Sequence, residues 1–121
     1  MKLNDVISEY FKEFDLGRLP FIECTSCSHR FYYPRTVCPK CFSPEIKISI
    51  SVGFGTIFSL TWIHGKDPAE KRSYAMISMD EGFKLYSSLV DSYNADIDDR
   101  VQVAMLEKNG RKVPFFKKIK V

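Results

Sequence analysis

The chain has 121 residues, of which 45% are hydrophobic and 14% aromatic, and its formal net charge at pH 7 is +3. This composition is sufficient for a small hydrophobic core and excludes an intrinsically disordered chain. It contains no apolar run of the roughly 18 residues that a membrane-spanning helix requires, so we expect a globular protein that does not cross a membrane. Its first residues are polar and lack the apolar segment of a signal peptide, which predicts a reducing, cytoplasmic location.

The first 20 residues form the first predicted unit, an amphipathic helix. Six large apolar residues recur at helical spacing and share one face: Leu3, Val6, Ile7, Tyr10, Phe11 and Phe14. Asn4 is a candidate N-cap, and Gly17 and Pro20 end the helix. Two interpretations of the apolar face stay open: it packs on the chain's own domain, or part of it docks on a partner protein.

Residues 21–45 form the second predicted unit, which contains all the cysteines of the chain. Cys24, Cys27, Cys38 and Cys41 form two C-x-x-C motifs separated by ten residues. This spacing is typical of a four-thiolate zinc ribbon, and a filled tetrahedral shell indicates a structural rather than a catalytic Zn²⁺. A thioredoxin-like dithiol and a pair of disulfides are the alternatives. We expect His29 to lie beside the site without binding the metal.

The residue after each C-x-x-C motif usually adopts a positive φ angle, which favours glycine. Here these positions hold Ser28 and Phe42. We therefore expect each of them to carry backbone strain on the order of 1 kcal/mol, which the free energy of metal binding outweighs.

Residues 46–121 form the third predicted unit, in which the apolar period changes from 3.6 to 2. Ile46, Ile48 and Ile50 alternate with polar residues and predict the first strand. In the next strand, Phe54, Thr56, Phe58, Leu60 and Trp62 share one face, and Gly53 and Gly55 predict a bend or bulge. This alternation places Phe54, Phe58, Trp62 and Phe83 in the predicted core.

Further strands are predicted at 74–79, 83–90, 100–106 and 113–121, with tight turns at 80–82 and 109–110 and loops at 66–72 and 91–99. Five or six strands in about 75 residues favour a small barrel over a sandwich. The predicted fold is therefore mainly β: an N-terminal helix, a rubredoxin-like zinc ribbon and a five-stranded OB-fold barrel.

These elements together resemble a known family. The residues that carry the likeness are the four-cysteine ribbon with Y-P-R at 33–35, G-F-G-T-I-F-S-L-T at 53–61, Y-A-M-I at 74–77, D-E-G at 80–82 and V-P-F-F at 113–116. The chain is similar to the zinc-ribbon plus OB-fold acyl-CoA-associated proteins, long known as a domain of unknown function. It departs from them at residues 98–100, where the family has a glycine.

The resemblance implies a non-catalytic accessory subunit, not an enzyme. Members of the family assemble with thiolases, lipid-transfer-type thiolases, hydroxymethylglutaryl-CoA synthases or hydratases, and help to hold acyl-CoA, a role in lipid metabolism. The residues agree with this, because His29 and His64 have no evident nucleophile or acid as a companion and no hydrolase or phosphate-loop motif is present.

The last strand holds the candidate residues for binding CoA. Residues 108–121 carry six Lys or Arg and no acid, and CoA presents phosphates and an adenine ring, which bind cations and flat apolar groups. The predicted contacts are Arg111, Lys112, Phe116, Lys117 and Lys118, with Lys120 nearby and Arg30 and Arg35 added by the ribbon. Solvated lysines beside core phenylalanines are the alternative, and Phe115 and Phe116 cannot both enter the core.

Nucleic-acid binding is the alternative function, since zinc ribbons and OB-folds both serve it. The predicted core placement of the barrel aromatics and the modest net charge make nucleic acid an unlikely partner.

Overall fold

The computed structural model describes residues 3–66, 72–90 and 94–119. Within these ranges the chain forms one helix and eight strands. In chain order they are α1 (Leu3–Asp15), β1 (Pro20–Cys24), β2 (Arg30–Phe31), β3 (Ile46–Ile50), β4 (Phe54–Ile63), β5 (Arg72–Met79), β6 (Lys84–Ser87), β7 (Arg100–Lys108) and β8 (Arg111–Lys118). The predicted mainly β fold is confirmed.

Helix α1 packs inward on the rest of the chain. Val6, Tyr10 and Phe14 are buried, whereas Leu3 and Phe11 are 48% and 41% exposed. The single proton of the buried Tyr10 hydroxyl is shared between the carbonyl oxygens of Pro20, at 3.1 Å, and of Tyr32. The central residues of the apolar face of α1 therefore pack on the chain's own domain, which is the first of the two interpretations. No helix in the described ranges is long and apolar enough to cross a membrane.

The ribbon contains a three-stranded antiparallel sheet with the strand order β2-β1-β3. Ile46–Ile50 was predicted to belong to the barrel, but β3 pairs along its whole length with β1, from Pro20 opposite Ile50 to Cys24 opposite Ile46. The alternating pattern of β3 fits either sheet, and only the long-range pairing decides between them. The division of the chain at residue 45 stays a prediction.

The second sheet has five strands in the order β6-β5-β4-β7-β8 and curls until its two edges meet. At the meeting point, the Phe116 N–H donates to the Ser88 carbonyl at 3.0 Å, and the Val90 N–H donates to the Phe116 carbonyl at 2.8 Å. Phe116 and Leu89 form a parallel bridge there. This strand order, with a short parallel contact between its edges, is that of a partly open OB-fold barrel, as predicted.

The predicted core is wrong at Phe58. In the first part of β4 the buried residues are Gly55 and Ile57, so Phe54 and Phe58 lie on the outward face; the β-bulge between Ile57 and Ser59 changes the inward-facing residues only beyond it. Phe58 is 54% exposed, whereas Phe83 is 1% exposed. Gly53 was the expected site of a bend, and its positive φ of 87° is consistent with one; a Cβ at this position would meet the Val103 side chain.

The turns follow the predictions where they lie in the described ranges. Asn109 and Gly110 both have positive φ angles and connect β7 to β8 in a tight hairpin. Asp98 has a φ of 72°, a conformation that favours the glycine expected there from the resemblance. Residues 67–71 and 91–93 of the two predicted loops, and 120–121 of the predicted last strand, lie outside the described residues.

The turn between β5 and β6 connects the barrel to the ribbon. The carboxylate of Glu81 accepts hydrogen bonds from the Ser51 hydroxyl and the Val52 N–H, both at 2.8 Å, just after β3. Phe83 stacks on Phe21 of β1 with a centroid distance of 4.8 Å. The ribbon and the barrel therefore share one hydrophobic core.

We predict that Tyr10→Phe destabilises the protein by about 1–3 kcal/mol, because it leaves the buried Pro20 carbonyl and the partly buried Tyr32 carbonyl without the donor they share. Urea denaturation of the purified chain measures this. Tyr74→Phe is the matched control, because Tyr74 is 54% exposed. The free energy of unfolding of this variant should differ from the wild-type value by less than about 0.5 kcal/mol. Equal effects of the two substitutions would contradict the prediction.

We also predict that Glu81→Ala loosens the junction between the two sheets. The amides of Val52 and Gly53 should exchange with solvent faster, because Glu81 holds the first directly and the second through Ser51. Hydrogen exchange with mass spectrometry measures this. Glu107→Ala, at an exposed position near the end of β7, is the control and should leave both rates unchanged.

Candidate functional site

The four cysteines lie on two turns with the same hydrogen-bonding pattern. In the first turn, the Cys24 carbonyl accepts from the Ser28 N–H at 2.9 Å, and the Cys24 N–H donates to the His29 carbonyl at 2.8 Å. In the second, the Cys38 carbonyl accepts from the Phe42 N–H at 2.8 Å, and the Cys38 N–H donates to Ser43 at 2.9 Å. Each turn therefore presents its two sulfur atoms toward a common centre.

The predicted strain is present at both turns. Ser28 has a φ of 65° and Phe42 a φ of 63°, in the left-handed region that costs L-residues about 1–2 kcal/mol. Structural zinc in comparable peptides contributes about 10–16 kcal/mol to folding, which outweighs this cost.

The sulfur atoms are spaced for a single metal ion. The Cys24 and Cys41 sulfurs are 3.6 Å apart, as are those of Cys27 and Cys38, and all four lie within 4.8 Å of one another. Zinc–sulfur bonds of about 2.3 Å in a tetrahedron place sulfurs about 3.8 Å apart, whereas a disulfide requires about 2.05 Å. All four cysteines are free thiols.

Local hydrogen bonds and burial shift the pKa values of three of the thiols in different directions. Hydrogen bonding from the Cys27 N–H lowers the pKa of Cys24. Desolvation raises the pKa of Cys38, but the N–H groups of Cys41 and Lys40 outweigh it and lower this pKa to about 7. The Ser43 N–H lowers the pKa of Cys41, yet desolvation and the neighbouring sulfurs raise it to about 12. Four thiolates therefore require a cation between them.

These residues fit a structural Zn²⁺, as predicted. Four sulfurs complete the tetrahedral shell and leave no position for water or substrate. His29 stacks against Phe31 with a centroid distance of 5.9 Å and does not belong to the sulfur cluster. When bound, the ion offsets half of the negative charge of the four thiolates and holds the two turns together.

The structure divides the predicted CoA-binding residues of β8 between its two ends. The Arg111 guanidinium lies 5.2 Å from the Phe11 ring centre, beside α1. At the other end, Lys117 and Lys118 line a groove. The two pairs of cations are six residues apart on an extended strand, a separation of about 20 Å, so they do not form one site. Lys112 lies with Arg111, close to Gly17.

Phe116 does not fit the predicted role in ligand binding. Its side chain is fully buried in the barrel core, because alternate residues of β8 face opposite sides of the sheet and the bridge to Leu89 fixes which side faces in. Phe115 is the partly exposed neighbour, so the prediction that only one of the two enters the core is correct.

Within the described residues, the polar contacts of Arg30 lie in the ribbon and at the β5–β6 turn, not beside the β8 cations. Arg30 donates to the Glu81 carbonyl at 2.7 Å and lies 3.8 Å from the Glu23 carboxylate, so it connects the ribbon to the β5–β6 turn. Arg35 is exposed on the ribbon. Lys120 lies outside the described residues.

The groove beside the end of β8 has a volume of about 740 Å³. It is lined by Asn94, Gln102, Val103, Ala104, Lys117, Lys118 and Ile119. Lys118 also forms an ion pair with Asp99 at 3.2 Å. Sequence reasoning missed the contribution of β7, because it depends on the register that places Gln102 opposite Lys117. The groove offers amide, ammonium and apolar groups, which suit an amphipathic anion.

We predict that the purified chain carries about one zinc ion and that Cys38→Ser lowers this content and the stability of the ribbon together. Zinc affinity should fall as the pH is lowered, because each thiol must lose its proton to bind the metal. Metal analysis and thermal unfolding measure both quantities. His29→Ala is the control and should keep its zinc; a chain that stays fully folded after exhaustive chelation would contradict the prediction.

Comparisons with known proteins agree with this centre. Residues 11–46 match the family model described as "ChsH2, rubredoxin-like zinc ribbon domain". No curated protein sequence matches the chain. Among solved structures, the chain is similar to one titled "Ltp2-ChsH2(DUF35) aldolase", with 23% identity, a TM-score of 0.79 and coverage of 98% of both chains.

A second similar structure is a protein of unknown function from the DUF35 family of Sulfolobus solfataricus. It has 16% identity and a TM-score of 0.72, over 93% of this chain and 84% of that one. The predicted resemblance is therefore confirmed: residues 11–46 form a zinc ribbon of the ChsH2 type, and the chain as a whole has the zinc-ribbon fold of the DUF35 family.

Proposed function

We propose that this chain is a non-catalytic subunit that assembles with an acyl-CoA enzyme, of the thiolase, hydroxymethylglutaryl-CoA synthase or aldolase type, and helps to hold the acyl-CoA. The observation that carries the proposal is the structural match over 98% of both chains to a DUF35 chain named as part of an aldolase with Ltp2. Because the match spans both chains almost completely, the likeness covers the ribbon, the barrel and the leading helix together.

The chemistry of the described residues supports a non-catalytic role. The four cysteines form one cluster with metal-ligand spacing, and a four-sulfur shell leaves no open coordination position for catalysis. Within the described ranges, neither the His29 nor the His64 side chain forms a hydrogen bond with a serine, cysteine or carboxylate. Cysteines must stay reduced to bind a metal ion, and this requirement also favours a reducing cytoplasm.

The groove at the end of β8 is the proposed contact with acyl-CoA. Lys117 and Lys118 supply positive charge, Asn94 and Gln102 supply amide donors, and Ile119 supplies an apolar wall. A volume of about 740 Å³ is within the range of small-molecule sites. Phosphates of CoA would meet the two ammonium groups, which predicts binding that weakens as the salt concentration rises.

Nucleic-acid binding receives less support. The exposure of Phe58 removes one argument against it, since this ring is available for stacking. However, neither similar structure is named for nucleic acid, and the net charge of +3 is small for such a protein.

Co-purification tests the proposal. The tagged chain is expressed in its native host, bound proteins are identified by mass spectrometry, and the identified enzyme is produced recombinantly and mixed with the chain. A stoichiometric complex with an acyl-CoA enzyme is the expected result. Absence of any such enzyme, or a zinc-loaded chain that turns over acyl-CoA alone, would overturn the proposal.

We predict that Lys117→Glu with Lys118→Glu weakens binding of acyl-CoA to the complex at least tenfold, without loss of zinc or of the partner. Calorimetry with acyl-CoA and with acyl-pantetheine measures this, and only the phosphate-bearing ligand should lose affinity.

The matched control is Arg111→Glu with Lys112→Glu, which changes the charge equally at the other end of β8. This variant should bind acyl-CoA as the wild type does. Equal losses from both double variants, or equal losses for both ligands, would refute the assignment of the phosphates to Lys117 and Lys118.

A further inference from the structure

Aromatic side chains are exposed along the outer surface of β4, β5 and β6. We define the aromatic face as Tyr33, Phe58, Tyr74, Met76 and Tyr86. Phe58 and Tyr74 are each 54% exposed, Tyr33 is 50% exposed and Tyr86 is 47% exposed. Met76 lies opposite Tyr86 in the sheet and is partly buried.

Contacts join the three tyrosines of this face to one another. The Tyr74 and Tyr86 rings stack with a centroid distance of 5.4 Å and an interplanar angle of 11°. The Tyr86 N–H lies 3.5 Å from the Tyr33 hydroxyl oxygen, which joins the ribbon to the barrel surface. The Lys84 ammonium lies 4.0 Å from the Phe58 ring centre. The rings are therefore held in place before any ligand binds.

Phe58 lies on the face of β4 that points away from the barrel core. The buried residues before the β-bulge are Gly55 and Ile57, so Phe58 alternates outward with Phe54 and Thr56. An exposed apolar patch of this kind marks an interaction site more often than a random surface does. Four aromatic side chains that are about half exposed offer roughly 400 Å².

The charge of the aromatic face has one sign. Strands β4, β5 and β6 contain no acidic residue, and their cations are Arg72 and Lys84, both exposed. The nearest acid beyond β5, Asp80, is already engaged by Arg100 in two hydrogen bonds of 2.7 and 2.8 Å. Within the three strands, the surface is therefore an apolar centre with two cations, Arg72 and Lys84, at its edge.

We infer that the aromatic face is where the chain docks on its partner enzyme, through a partner surface that has an apolar centre and carboxylates at its border. This inference rests on the proposed function and adds the location of the interface. It replaces α1 as the expected docking site, because the centre of that helix is buried against Pro20 and Tyr32. Tyrosine and methionine are enriched at the centre of such interfaces.

Charge disfavours two other occupants. A second copy of the chain would set the same two cations against their own copies in a two-fold interface, which like charges oppose. A nucleic acid would find only Arg72 and Lys84 on these strands, fewer cations than the six to ten phosphate contacts that are typical of strong binding. A standard protein interface of about 800 Å² per partner would include the aromatic face as its centre.

The test uses the zinc-loaded chain and the recombinant partner enzyme identified by co-purification. Tyr74→Ser with Tyr86→Ser should raise the dissociation constant at least 30-fold in calorimetry, as expected for two interface anchors. Lys84→Glu should slow association, most strongly at low salt. Leu106→Ser is the control: Leu106 is 41% exposed on β7, and its substitution should leave the affinity unchanged.

Zinc content and thermal unfolding verify that each variant is folded. A complex that forms with unchanged affinity in the double tyrosine variant would overturn the docking site but leave the proposed function intact. Failure of the wild-type chain to bind any acyl-CoA enzyme would overturn both. A wild-type homodimer or an oligo(dT) complex that disappears only in the tyrosine variant would assign the face to that occupant instead.

Discussion

Mutual repulsion between four close thiolates is the constraint on which the ribbon depends. Their sulfurs lie within 4.8 Å of one another, and two strained residues, Ser28 and Phe42, keep them there. A divalent cation converts this repulsion into the attraction that closes both turns. Cys24 ends β1 and pairs with Ile46 of β3, so closing the turns also sets the start of the three-stranded sheet.

The ribbon in turn positions the remaining elements. Tyr10 connects α1 to the carbonyls of Pro20 and Tyr32, and Phe21 of β1 stacks on Phe83 of the barrel. Glu81 holds the residues that lead from β3 into β4. The ribbon, helix and barrel therefore share one core, and the aromatic face can include Tyr33 from the ribbon beside Tyr86 from the barrel.

Local signals predicted the elements well and the long-range pairings poorly. Two C-x-x-C motifs imply the metal centre because a short turn alone brings each pair of sulfurs together, and Asn109-Gly110 implies its hairpin because these residues tolerate positive φ. The partner strand of Ile46–Ile50 had no local signal, since an alternating strand fits any sheet with one buried face. No local signal predicted the bulge at Phe58 either, because a bulge depends on how β4 pairs with β5.

The sequence by itself determined the metal centre, the mainly β composition and the amphipathic helix, because each follows from residue types at fixed short spacings. Only the tertiary structure decided which cations share a site. Arg111 and Lys117 lie on one strand, yet β8 carries them to opposite ends, toward α1 and toward the groove beside β7. It also decided that Phe116 is buried and Phe58 exposed, because strand register, which is a long-range property, selects the side of the sheet that each residue faces.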